Sequence, residues 1–268
     1  HAWRLNNSKV SRADCGSRIK RLDLVPPEEL TGEIEKLVVA WDDDRLATAV
    51  TDLFTHPVDK PSSECLRVAL LRRWASEKPN EAADWAKSFP CGPQRSAVFD
   101  QMILAWSRTD AGAALDWLKT LPDDPDRAQA WATLAYEVTR DYPEQGFDLA
   151  IPLTGGQDGI RCLEHAVANW ALQDAQAALV RVEQLPEIAL RESALACLAT
   201  SWAESDPGSA AALVAESMEP GAAQDRAIAA VVQRWAQQDR AAAEAWTESF
   251  PEGTVKQNAR FHIQAANP

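Results

Sequence analysis

Residues able to carry out chemistry are few in this chain and scattered along it. The four histidines, His1, His56, His165 and His262, are too dispersed to suggest a metal site by spacing. An N-terminal histidine can chelate copper with a second one, but His1 reads as a processing remnant. Glu164-His165 falls on a helix and lacks the second histidine of HExxH, so it reads as a surface pair. The run Gly155-Gly156-Gln157-Asp158-Gly159 has neither the GxGxxG nor the Walker spacing that cradles phosphates, and reads as a loop between structural units. No GxSxG nucleophile elbow occurs. Asp42-Asp43-Asp44 and Asp123-Asp124 stand at turns, where aspartate caps helices. Five cysteines, Cys15, Cys65, Cys91, Cys162 and Cys197, include no CxxC pair. They read as free, small buried groups; a single disulfide is compatible with them, a disulfide framework is not. These residues assign no catalytic group, no metal ligand and no cofactor site.

The elements that would position any site are helices. Alanine is abundant, and the usual strand signals are nearly absent. The net charge of −13 and a pI near 4.8 exclude nucleic acid as the main partner, because phosphate neutralisation needs clusters of Lys and Arg. An acidic surface serves solubility; a preference for basic partners is the sharper reading. No stretch approaches the ~18 uninterrupted apolar residues of a membrane span. No export signal is visible, but the chain begins at His1, so cytoplasmic and bacterial periplasmic or secreted locations are both compatible with it. Residues 1–29 read as a basic N-terminal arm, with Arg4, Lys9, Arg12, Arg18, Lys20 and Arg21 against Asp14 and Asp23. The arm is either a flexible tail or a segment that packs on the acidic body or reaches a partner.

Self-comparison reveals a period. Trp41, Trp74, Trp106, Trp170, Trp202 and Trp235 recur in register, with Val138 filling the midpoint between Trp106 and Trp170; the separations are 33, 32, 32, 32, 32 and 33 residues. Eight residues after each anchor stands a small residue: Ala49, Ala82, Ala114, Gly146, Ala178, Ala210 and Ala243. Sixteen after it comes Pro57, Pro90, Pro122, Pro186 or Pro251, with Thr154 and Met218 as exceptions. Phe99, Met102 and Ile103 before Trp106, like Ile228, Val231 and Val232 before Trp235, form the stripe of an amphipathic helix that ends shortly after its anchor. Asp206-Pro207 reads as N-cap and first position of a second helix, which stops near the next Leu-Pro or Phe-Pro pair. The indole is expected to lie over the small residue and fill the groove between the two helices. Trp85, Trp117 and Trp246, eleven after their anchors, read as core rather than as a ladder for sugars or proline-rich peptides.

The pattern resembles the tetratricopeptide (TPR) repeat family. Phe99, Met102, Ile103 and Trp106 fall where that family places its first-helix core, and Asp110 and Ala114 resemble its turn and small second-helix residue. The repeat is 32 rather than 34 residues long, so the likeness is TPR-like and divergent. It implies an all-α, right-handed superhelical α-solenoid of about seven helix–turn–helix repeats over 30–57, 61–90, 93–122, 125–154, 157–186, 189–218 and 223–251. Residues 252–268 read as a partial eighth repeat or capping helix, with Phe261 and Ile263 as its apolar side. The resemblance further implies a concave groove lined by first helices, where Arg72, Asp100, Tyr136, Arg161, Glu164, Arg226 and Gln233 would meet a protein or peptide. The expected function is a non-catalytic interaction scaffold. A structural subunit of a larger assembly and an α/α-toroid enzyme are the alternatives.

Overall fold

The computed structural model describes residues 17, 21–41, 43–55 and 60–266. Most of the basic arm (Arg4, Lys9, Arg12, Arg18, Lys20), together with His1, Cys15, Asp42, His56 and Pro57, lies outside the described residues. Among the described residues thirteen α-helices carry the fold, and no strand occurs. They are α1 (Pro27–Val39), α2 (Asp43–Thr55), α3 (Pro61–Glu77), α4 (Pro79–Ala86), α5 (Pro93–Thr120), α6 (Pro125–Asp141) and α7 (Pro143–Ala150). After a short 3-10 turn come α8 (Gln157–Glu183), α9 (Ile188–Trp202), α10 (Pro207–Ser217), α11 (Ala222–Gln238), α12 (Arg240–Glu248) and α13 (Thr254–Ala265). The chain divides into two compact units, up to Leu134 and from Ala135, so that the division falls inside α6.

Helix boundaries follow from local chemistry. Seven helices begin on a proline, whose fixed φ suits the first helical position and whose missing N–H is no loss there. Four residues after an anchor the backbone leaves the helix. Lys78, Asp110, Tyr142, Asp174, Asp206 and Asp239 all take φ between −134° and −157°. The four aspartates cap the second helix of their pair: each Oδ1 accepts the amide three residues on, from Ala113, Ala177, Ser209 and Ala242, at 2.8–3.0 Å. Where Lys78 or Tyr142 stands instead, a proline comes directly after it. At Asp110 and Asp174 the break is so tight that α5 and α8 run on as single kinked helices.

In each pair the two helices meet at the small residue. Ala49, Ala82, Ala114, Ala178, Ala210 and Ala243 are completely buried. Gly146 is the tightest case: a Cβ there would lie 2.0 Å from Thr139 Oγ1 and 2.8 Å from Thr139 Cα. The close neighbour is thus the residue after the anchor, and glycine compensates for a β-branched threonine. Trp41, Trp74, Trp106 and Trp170 are buried, whereas Trp202 and Trp235 are half-buried, so their rings close the groove only in part. The second tryptophans pack against the anchors of their own pairs, with ring centroids 5.4 Å apart for Trp74–Trp85, 5.9 Å for Trp106–Trp117 and 5.8 Å for Trp235–Trp246. Phe54 edges onto Trp85, and Phe147 onto Trp170, joining one pair to the next.

The turn from a second helix to the next first helix has its own device. Arg127, Arg191, Gln224 and Lys256 reach back to the carbonyls of Leu121, Leu185, Met218 and Glu248, at 2.9–3.3 Å. These carbonyls lie at or just beyond helix C-termini and have no intrahelical partner. Gly159 stands at the matching place on α8, where a Cβ would fall 1.8 Å from the Leu153 carbonyl oxygen. The glycine run is therefore loop only at Gly155-Gly156, and Gln157 to Gly159 open α8. On α13, Ala259 and Ile263 are buried but Phe261 is 65% exposed. The expectation for Phe261 fails because residues two apart on a helix point about 200° apart and cannot share a face.

Candidate functional site

The candidate groove residues all lie on first helices, and the structure ties several of them to the neighbouring first helix. In the first unit Arg72, exposed on α3, donates from Nε to Gln101 Oε1 on α5 at 2.7 Å. Asp100 on α5 is half-buried and accepts the Thr133 hydroxyl of α6 at 2.7 Å. Burial raises the pKa of Asp100 above the usual carboxylate value, against the lowering effect of the Thr133 and Gln129 hydrogen bonds. In the second unit Tyr136 on α6 and His165 on α8 place their ring centroids 4.9 Å apart. Desolvation pushes the phenol of Tyr136 up and the imidazole of His165 down. Arg161 pairs with Asp158 one turn earlier on α8. Glu164 is half-buried, accepting the Ser193 hydroxyl of α9 at 2.5 Å through its carboxylate and the Cys197 thiol at 3.2 Å through its carbonyl. Arg226 and Gln233 are exposed on α11.

These cross-helix bonds fall at two related spacings. Partners are 29 residues apart for Arg72–Gln101 and Glu164–Ser193, and 33 apart for Asp100–Thr133 and Glu164–Cys197. The repeat is 32, so partners sit at the matching position minus three or plus one. Those two offsets differ by four, one helical turn, and mark a single stripe facing the next first helix. Gln101, Thr133 and Ser193 are the residues that sequence reading does not single out. Polar pairs at those two offsets are the signal that could have found them.

A second polar cluster lies at the starts of α5 and α6. The Arg95 guanidinium donates to Asp126 at 2.7 Å and to Asp124 at 2.6 Å, and the Gly92 amide donates to Asp126 at 2.9 Å. Cys91 completes a trio whose ligand atoms lie within 4.8 Å of one another. Burial alone would raise both carboxylates. The Arg127 amide and Arg95 outweigh it at Asp124, the Gly92 amide and Arg95 at Asp126, and both stay below the ordinary range. The Cys91 thiol is pushed up, first by its hydrogen bond to Asp126 and then by burial. One guanidinium bridges both acids, so the cluster acts as a clamp between helix starts.

The cysteines divide. Cys162 is buried and Cys197 half-buried, with thiols pushed to about 11 by burial, which leaves little reactive thiolate at neutral pH. Cys65 and Cys91 are exposed, contrary to the expectation that they fill space in the core. None of these four forms a disulfide among the described residues. No helix among the described residues is long and apolar enough to cross a membrane. No protein-family model, curated protein or solved structure matches the chain.

Proposed function

We propose that this protein is a non-catalytic scaffold that binds a peptide or protein along the face made by its first helices. In this reading the helix pairs form a TPR-like, right-handed α-solenoid, with α13 as a terminal cap. One observation supports it above the others: within each unit, neighbouring first helices are bridged side by side at offsets one helical turn apart, which holds their outer polar and aromatic residues on one surface. A surface of that kind presents tyrosine and arginine, the residue types that most often anchor interfaces.

The test is a peptide-display selection on the full chain, followed by affinity measurements on the retained sequences. Tyr136→Ala and Arg161→Glu are expected to weaken retained peptides about tenfold each. Arg240→Gln, on a second helix, should leave their affinity unchanged. A selection that retains no peptide, or peptides indifferent to both first-helix variants, contradicts the proposal.

A further inference from the structure

Helix α13 has one side packed and one side open. Ala259 and Ile263 are buried at the places that Ala227 and Val231 hold on α11, 32 residues earlier, so α13 keeps the register of a first helix. It packs on α11 and α12, and its Lys256 and Arg260 are tied to Glu248 and Glu252. In this register Phe261 matches Asp100 and Glu164, six residues before their anchors, and Ala265 matches Arg72, two before its own. Those are the positions from which a first helix bonds to the next one. Asp100 and Glu164 are half-buried there. Phe261 is 65% exposed, because among the described residues no first helix follows α13. We propose that α13 pairs along this open side with α13 of a second copy of the chain, giving a two-fold symmetric dimer.

The composition of the open side supports a second copy as its occupant. Its exposed residues are Thr254, Gln257, Asn258, Phe261, Gln264 and Ala265, which recur at spacings of three and four and so line one stripe. None of the six carries a charge. Copies of net charge −13 repel one another, and a two-fold contact sets the stripe against itself, so charges on it would add to the repulsion. An uncharged stripe avoids that. Phe261 sits mid-stripe, where a two-fold axis brings ring against ring. The amides of Gln257, Asn258 and Gln264 each donate and accept, which makes the flanks self-complementary. The open side of α1 is a poorer match for α13. There the positions that receive bonds from a preceding first helix, five and nine before the anchor, are Lys36 and Gly32, and Glu28, Glu29 and Glu35 stand exposed around them. Stacking α13 on α1 would also build an open chain of copies rather than a closed pair. One helix against another covers little area, so the dimer is weak, with a dissociation constant on the order of 10–100 µM.

Sedimentation equilibrium of the full chain between about 1 and about 500 µM tests the pairing. The expected result is a reversible equilibrium of monomer and dimer, with nothing larger. Phe261→Glu and Phe261→Lys should each weaken self-association at least about tenfold. An equal mixture of the two should associate more tightly than either alone, because a two-fold axis sets position 261 against itself. Asn258→Lys, exposed on the same stripe, should weaken association likewise, and gives the result even where a change at 261 disturbs α13. Lys36→Glu, on α1, should change nothing. A chain that stays monomeric throughout, a mixture that does not pair, growth beyond a dimer, or equal weakening by Lys36→Glu would each overturn the proposal. Its failure leaves the peptide-binding reading standing, since α13 carries none of the candidate groove residues.

Discussion

At Gly146 a single methyl group decides whether two helices can touch. Gly146→Ala would drive a Cβ into Thr139, and overpacking of this kind costs about 1–3 kcal/mol. Thermal melting should show the loss, and adding Thr139→Ala should recover part of it; an unchanged melting temperature contradicts the close approach. The anchors differ in what they seal. Trp106→Ala should cost about 3–5 kcal/mol, as a buried ring leaves a cavity, whereas Trp202→Ala should cost roughly 2 kcal/mol because that residue is already partly exposed. Denaturant unfolding of both variants gives the comparison, and equal losses would be inconsistent with it. The anchor and its small neighbour are legible in the sequence because they recur at fixed register. The half-burial of Trp202 is not, since the same letter at the same register carries no record of what covers it.

Between neighbouring elements, short polar links add to the buried apolar core. Asp206 caps α10 through the Ser209 amide and hydroxyl, which hold its carboxyl below the ordinary range. Asp206→Ala should cost about 1 kcal/mol. The α12–α13 contact depends on Glu248, which accepts both forks of Arg260 at 2.9 Å and also pairs with Lys256. Hydrogen bonds from Arg260, then Lys256, lower its pKa from 4.5 to about 2. The folded value is depressed, so this contribution is fully present above about pH 4.5 and disappears as the pH falls through about 2. Carboxyl NMR should place the Glu248 titration near 2, and Glu248→Gln should flatten the acid side of the stability profile. A titration near 4.5 would rule out the link. The helix starts are legible, because Pro and Asp announce them. The exposure of Phe261 is not, because apolar letters two apart resemble a face until the helical angle between them is counted. The reach-back of Arg127, Arg191, Gln224 and Lys256 escapes sequence reading because its partners are backbone carbonyls, which have no sequence signature.

For the molecule as a whole, helical periodicity makes the all-α class readable from one sequence. The candidate face is only partly legible. Exposed positions such as Arg72 and Tyr136 follow from the register, but Asp100 and Glu164 are half-buried in bonds to the neighbouring helix. In the proposed scaffold the first helices form the binding face, and hydrogen–deuterium exchange of the full chain with a display-selected peptide is the decisive experiment. Protection is expected on the first helices, namely α3, α6, α9, α11 and the leading halves of α5 and α8. Protection confined to the second helices α4, α7, α10 and α12 would contradict it.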